Sequence, residues 1–291
     1  MAIVDATPVL SPLEPLARAY ERSVPAKPVD DGLYGPRSMV WRVHRDRSFP
    51  LAGLRSLLVQ ALHPLAMAGV ADHSSWRRNP FGRLAATSGY VLTTTYGDRA
   101  SALGAAAWVR DIHKRVHGVD AETGLAYSAE DPALLLWVHA GMVDSIVTVV
   151  QRYGRGLDEG EADRYVAEMA TFAEIVGVPA ELVPKTVHAM REYIQSVELL
   201  QATPAARDAM AVVMDPPDLD PDMRDLWRDL SQVAVGILPP WAREMYGFAD
   251  PDPALLEREP VRQLLGALDL LFESLPGVLE ARQRIELRMR A

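Results

Sequence analysis

The stretch WVRDIHKRVHG, residues 108–118, contains two histidines, His113 and His117, four residues apart. Residues at this spacing lie one turn apart on the same side of an α-helix, so the pair is able to bind a metal ion such as zinc. No glutamate stands between them as in an HExxH motif, and Lys114 and Arg115 make the setting cationic. A single imidazole in apolar surroundings suits the axial position of a haem better, because haem needs one neutral nitrogen and a dry slot. Ordinary histidines without a ligand are the third interpretation.

Three further histidines stand in strongly apolar segments. His63 and His73 are at the two ends of PLAMAGVAD, and His139 follows LLLWV. An imidazole inside a core needs a hydrogen-bond partner or a metal, so these three are candidate residues of a pocket. For each one alone, a histidine that is exposed or satisfied in the interior is the simpler interpretation.

Arg83 and Thr87, in PFGRLAATSGY, are four apart and so share a helix face. A guanidinium and a hydroxyl on one face can line a polar pocket for a propionate, an oxygen ligand or a substrate group. The alternative is an arginine paired with a nearby aspartate, with Thr87 as filler. The spacing alone favours that alternative.

The composition excludes several classes of function. The 291 residues include no cysteine, which excludes disulfides, thiolate metal sites, iron–sulfur clusters and cysteine nucleophiles. The net charge is -9 with no lysine and arginine stripe, which argues against nucleic-acid binding. No phosphate-binding glycine loop, Walker lysine or GxSxG motif occurs.

The first residues, MAIVDATPVLSPLEPLARAY, lack the basic and apolar regions of a secretory signal. No uninterrupted apolar run of about 18 residues is present, so we expect no membrane span. These features predict a cytoplasmic protein.

Helix signals dominate the chain. Pro64 predicts a break near His63 in the apolar segment 53–74. Asn79 and Asp98 are N-cap residues of the next two helices, and the second of these is expected to run through Val116 to a C-terminal Gly118. Asp131 and the proline after it begin a helix that is apolar nearly all round, which predicts a central position.

Segments with β-strand propensity, such as TTTY and IVTVV, are too few for a sheet. We therefore predict an all-α fold with a single helical domain. Residues 1–29 are expected to form an N-terminal helix and tail, residues 30–250 the functional helical domain, and residues 251–291 C-terminal helices packed on the same domain.

An ordered set of motifs resembles the catalytic domain of the mpaB-type oxygenases and latex-clearing proteins, or rubber oxygenases. The central motifs are LHPLAMAGVADHSSWRRNPFGRLAATSGYVLTTTYGD, VRDIHKRVHG and YSAEDPALLLWVHAGMVDS, with DGLYGPRSMVWRVHRD upstream and LPPWAREMYGF downstream. The resemblance covers roughly residues 30–250. No single motif is specific, but the set in this order is.

The resemblance implies a globin-like core that binds haem b. It places the proximal iron ligand at His113, which matches the histidine of the family motif, with His117 as a neighbour at the helix end. Arg83 and Thr87 match an arginine and a threonine near the distal side of the haem. His63, His73 and His139 are weaker candidates for the same pocket.

One departure from the family concerns the distal side. Rubber-cleaving members have a lysine just before that threonine, and Ala86 stands here instead and cannot bind iron. The distal position is then open to O₂ or peroxide, unless another residue such as His73 reaches it. Without that lysine and without an export signal, rubber is not the expected substrate.

The expected function is a haem b-dependent oxidoreductase, similar to an oxygenase, acting on an apolar small organic molecule. Oxidative cleavage by both atoms of O₂ needs no external electrons, whereas monooxygenation needs a separate redox partner. Three alternatives remain: a haem carrier or sensor without catalysis, a metal protein without haem that uses His113, His117 and carboxylates, and a helical interaction module without a cofactor.

Overall fold

A computed structural model describes residues 13–217 and 219–291. Within them are fourteen α-helices and one two-stranded sheet, and this confirms the prediction of an all-α single domain. The elements in chain order are α1 (Glu14–Ser23), α2 (Met39–His44), α3 (Phe49–Gln60), α4 (Pro64–His73), α5 (Pro80–Tyr96), α6 (Arg99–His113), β1 (His117–Val119), β2 (Ala126–Ser128), α7 (Pro132–Tyr153), α8 (Glu159–Val176), α9 (Val187–Ser196), α10 (Pro204–Met214), α11 (Pro221–Gly236), α12 (Pro240–Tyr246), α13 (Arg258–Glu273) and α14 (Val278–Arg290).

The helix starts lie where the N-cap residues predict them. The side chains of Asn79, Asp98 and Asp131 each accept a hydrogen bond from a backbone N–H in the first turn of α5, α6 and α7. These bonds satisfy donors that the helix itself leaves free. The break near His63 is also confirmed, since α3 ends at Gln60, α4 begins at Pro64, and the two helices are bent by 105°.

The end of α6 differs from the prediction. The helix ends at His113, and residues 117–119 form β1, which pairs antiparallel with β2. Val116 packs with Tyr127, Ala68 and Leu134. These residues cover its apolar side chain, so the helix can end before Val116 without exposing that side chain. The expectation that His113 and His117 share a helix face is therefore wrong.

Helix α7 is the central element, as predicted. Its buried residues lie on every side, and it packs along most of α3. The 22 residues of α7 are long and apolar enough to cross a membrane, and 67% of its most apolar window is buried in the protein. The bent pair of α3 and α4 passes the same test together. Core helices of globular proteins share this property.

A buried ion pair joins α3 to α7. The Arg55 guanidinium contacts an Asp144 carboxylate oxygen at 2.9 Å and donates to the Ser145 hydroxyl at 2.7 Å and to the Ile237 carbonyl at 3.0 Å. Asp144 also accepts from Arg191 of α9 at 3.1 Å. The group therefore ties together four separate segments of the core.

Five helices pack against one another in succession. Helix α5 packs against α6, α6 against α8, α8 against α7, and α7 against α4, which leads back to α5 through a short loop. Helix α6 is partly exposed, since only Ala102 and Ala106 of its fifteen residues are buried, although it packs against both α5 and α8. On the other side of the molecule, α14 packs against α1 and α13, and α13 also packs against α7 and α11.

Candidate active site

One face of α5 carries Arg83, Thr87 and Tyr90, because residues three, four and seven apart are neighbours on a helix. Within the described ranges Arg83 forms no ion pair, so the pairing with an aspartate that the spacing favours is not found there. The Arg83 side chain is accessible to solvent, yet the surrounding protein lowers its pKa by desolvation.

His113 faces the same region from the last turn of α6. Desolvation by burial lowers its pKa, the nearby Arg83 charge lowers it further, and Glu130 opposes them. The imidazole is therefore neutral near pH 7. Its Nδ1 atom is buried with no hydrogen-bond partner, while no described group hydrogen-bonds to Nε2. A neutral ring with a free nitrogen is what metal ligation by histidine needs.

His139 of α7 is fully buried, and neither of its ring nitrogens has a hydrogen-bond partner in the described protein. Its ring is stacked on Phe172 of α8 with 6.2 Å between centroids, and Phe172 contacts Tyr90 at 5.1 Å. Burial lowers the pKa of His139 to about 4, so the ring is neutral. These aromatic side chains form a row from α7 across α8 to α5.

Nine buried side-chain polar atoms have no hydrogen-bond partner among the described residues, and three of them belong to this row. Besides both His139 nitrogens and His113 Nδ1, the nine include the hydroxyls of Tyr90 and Tyr34. Burial raises the pKa of both tyrosines, and Tyr90 raises the pKa of Tyr34 further, which places the two side chains near each other. Leaving a buried polar group without a partner costs roughly 1–3 kcal/mol, so these atoms are candidates for contact with a bound molecule.

Tyr90, Phe172 and Tyr34 are site residues that were not selected from the sequence. The spacing of Tyr90 from Arg83 and Thr87 could have shown that it shares their helix face. Phe172 and Tyr34 carry no such signal, because their contribution depends on how α8 and the segment before α2 pack.

The remaining candidates lie elsewhere. His73 is exposed at the end of α4, with Nε2 3.2 Å from the Tyr127 hydroxyl. His63 is buried against Trp137 at 5.8 Å between centroids. Trp137 and His139 are two residues apart, roughly 200° around a helix. His63 and His139 are therefore on opposite sides of α7, and neither His63 nor His73 joins the group around His113.

His117 is exposed in β1, separate from the helix that carries His113. In the described part of the chain, no three His, Cys, Asp or Glu side chains are grouped closely enough to hold a metal ion. The interpretation of a zinc or iron site made of His113, His117 and carboxylates therefore has no ligand set among these residues.

A cavity of about 1020 Å³ lies against another face of α5, lined there by Leu84, Ser88 and Leu92. At 100° per residue this face is roughly 130° around the helix from Arg83, Thr87 and Tyr90. His44 lies at that cavity, but its nitrogens are already bonded to Thr95 at 2.8 Å and Tyr165 at 3.0 Å. Among the described histidines, His113 differs in having an unbonded ring nitrogen close to an arginine charge.

Comparison with known proteins gives one match. The family described as "ER-bound oxygenase mpaB/B'/Rubber oxygenase, catalytic domain" matches residues 41–269. This range begins in α2, ends in α13 and includes every residue assigned to the site above except Tyr34. No curated protein and no solved structure matches the chain significantly.

Proposed function

Because the chain belongs to the family of the mpaB and rubber oxygenase catalytic domains, we propose that it is a haem b-dependent oxygenase acting on an apolar small organic molecule. The observation that carries this proposal is the proximity of a neutral His113, which has a free ring nitrogen, to Arg83, which forms no ion pair among the described residues. In this proposal His113 is the proximal iron ligand. A globin-like arrangement of the core remains a prediction.

The residues present are chemically suited to haem. A neutral imidazole is an axial iron ligand, a guanidinium can hold a propionate with two hydrogen bonds, and aromatic rings offer apolar contact to a porphyrin. His113, Arg83, and the row of Tyr90, Phe172 and His139 supply these three groups. The unsatisfied hydroxyl of Tyr90 adds a donor that a bound group would satisfy.

Bound haem would supply an iron centre able to react with O₂ or peroxide, and the side chains determine what reaches it. Ala86 has no atom that can bind iron, so α5 leaves space for a small molecule where the family has a lysine. Arg83 can donate hydrogen bonds to an oxygen atom carrying negative charge. The Thr87 hydroxyl donates to the Arg83 carbonyl at 3.2 Å, which leaves its oxygen as an acceptor.

The rings of Phe172 and Tyr90 offer an apolar surface that suits an apolar substrate. His139 stays uncharged above about pH 4, so it can give or accept one hydrogen bond without bringing a charge into the site. The proposal includes O₂ and the organic substrate as reactants. A separate redox partner belongs to it only if the reaction is a monooxygenation, because insertion of both oxygen atoms consumes no external electrons.

The test is the visible spectrum of the protein expressed with added haem precursor. We expect a Soret band in the wild type that is lost in His113→Ala and kept in His117→Ala, the matched control from the adjacent strand. A wild type without a Soret band would end the haem proposal. Full haem retention by His113→Ala would end the ligand assignment alone.

Oxygen consumption then separates catalysis from transport. An oxygenase should consume O₂ when apolar terpenoids or lipids are offered, and Arg83→Ala should slow consumption while the Soret band remains. Reversible binding of O₂ or CO with no consumption would favour a haem carrier or sensor, which the replacement of the family lysine by Ala86 also permits.

A further inference from the structure

The cavity on the other face of α5 is separate from the site of His113. Besides α5, its walls come mainly from α1, α3, α11, α13 and α14, and none of the residues that line it belongs to that site. Its volume of about 1020 Å³ is at the upper end of the range for small-molecule pockets, about 300–1,000 Å³. It is therefore large enough for a molecule of its own.

The walls of this cavity are mainly aliphatic. Eleven leucines contribute to the described lining, together with aromatic residues such as Phe272 and Trp227. Burying a methylene group against such a surface contributes about 0.8 kcal/mol, so a hydrocarbon chain is the group that these walls favour.

The polar part of the lining is positively charged. Six arginines and four carboxylates line the cavity among the described residues, an excess of two positive charges on a chain of net charge -9. All of the cations are arginines, whose forked guanidinium binds carboxylates with two hydrogen bonds.

The carboxylates are already engaged. The buried Asp269 is bound by Arg47 at 2.8 Å and by Arg282 at 2.6 Å, and Arg282 also contacts Glu273 at 2.7 Å. In the described chain, by contrast, Arg155, Arg262 and Arg290 form no ion pair, although each lines the cavity and is exposed. These three positive groups are free to meet an anion.

We propose that this cavity binds a single-chain amphiphile with a carboxylate head, of the class of long-chain fatty acids or prenyl acids. The hydrocarbon chain lies among the leucines, and the carboxylate lies at the unpaired arginines. This site does not depend on haem, because no residue assigned to the haem lines it.

The experiment is calorimetric titration with oleate, and with oleyl alcohol as the uncharged analogue, both below their aggregation concentrations. We expect one saturable oleate site in the wild type and weaker binding of the alcohol. The double charge reversal Arg262→Glu with Arg290→Glu should weaken oleate binding by about tenfold or more and leave the affinity for oleyl alcohol unchanged. Ser88→Trp, which fills the cavity from α5, should weaken both.

The matched control is Arg164→Glu, which reverses an exposed arginine of α8 outside the cavity and should bind oleate like the wild type. His113→Ala should also bind oleate normally, whatever it does to haem, so failure of the haem proposal is seen separately. The amphiphile site is refuted if the wild type shows no saturable oleate binding, or if the charge-reversed variant binds oleate as tightly as the wild type. The charge-reversed variant decides the matter even if Ser88→Trp does not fold.

Discussion

Arg83 and His113 interact electrostatically across the space between α5 and α6. Burial is the larger cause of the lowered pKa of His113, and the Arg83 charge is the second. We expect Arg83→Gln to raise the pKa of His113, because the imidazolium form loses a nearby like charge, and to leave it below the ordinary value, because the burial remains. NMR titration of the imidazole in haem-free protein measures this.

The matched control for that titration is Arg78→Gln, which removes an exposed arginine from the loop before α5. It should leave the His113 titration unchanged. An Arg83→Gln variant in which the pKa of His113 stays the same or falls would show that the two side chains do not meet as described.

Two buried histidines make the stability sensitive to acid. Burial lowers the pKa of His44 to about 3 and that of His139 to about 4, against roughly 6.5 in an unfolded chain. Below pH 6.5 the unfolded chain takes up protons that the folded protein does not, so the free energy of unfolding decreases as the pH is lowered. Each group contributes up to about 1.4 kcal/mol per pH unit, until the folded imidazole itself becomes protonated.

We predict that His139→Phe flattens this dependence between pH 6 and pH 4.5, since phenylalanine cannot be protonated. Urea unfolding at several pH values measures the slope, and His188→Asn, which changes an exposed histidine, should keep the slope of the wild type. An unchanged slope in His139→Phe would mean that His139 is accessible to protons in the folded protein.

The hairpin of β1 and β2 closes against α4 through Tyr127. A Cβ atom at Gly118 would lie 2.7 Å from the Tyr127 hydroxyl, which is too close. The ring cannot move away easily, because it is 5% exposed and its hydroxyl donates to Asp72 at 2.7 Å. The hairpin therefore needs glycine at position 118, because a side chain there would collide with Tyr127. Gly118 does not end a helix, contrary to the prediction from the sequence.

We expect Gly118→Ala to destabilise the protein by about 1–3 kcal/mol, as overpacking usually does. The control is Gly104→Ala in α6, where a Cβ meets nothing within 4 Å and alanine should be neutral or slightly stabilising. Urea unfolding compares the two. Equal stability of Gly118→Ala and the wild type would show that Tyr127 is free to shift.

The sequence predicts where helices begin better than where they end. Asn79, Asp98 and Asp131 cap their helices through bonds to residues two or three positions away, and such local chemistry can be read directly. The end of α6 depends on Val116 and Gly118 meeting Tyr127, a contact between residues nine or more positions apart. The residues of the candidate site differ in the same way. The position of Tyr90 can be predicted from its spacing to Arg83 and Thr87, whereas that of Phe172 depends on how α8 packs.

At the scale of the whole molecule, the ionic group around Asp144 links α3, α7, α9 and the residue that follows α11. The side chain of its main partner Arg55 is only 4% exposed, and desolvation lowers the pKa of that guanidinium. Removing the carboxylate would leave a buried charge without its counter-ion, an effect that typically costs about 3–5 kcal/mol. Helical periodicity cannot show this, because it does not tell which faces meet.

We therefore predict that Asp144→Ala lowers the free energy of unfolding by about 3–5 kcal/mol. Asp225→Ala removes an exposed partner of Arg228, and its effect should stay within about 1 kcal/mol. Denaturant unfolding of both variants provides the comparison. Similar small losses in the two would indicate that water reaches Arg55.

The partial exposure of α6 has a consequence for how the proposed haem would enter the protein. Because only two of its fifteen residues are buried, α6 can detach from α5 and α8 at a lower free energy than global unfolding requires. We expect such excursions of one element, with the rest of the fold intact, to give a flat molecule access to the side chains between α5 and α6. His113, the residue proposed to hold the iron, would then move together with the helix whose detachment admits the haem.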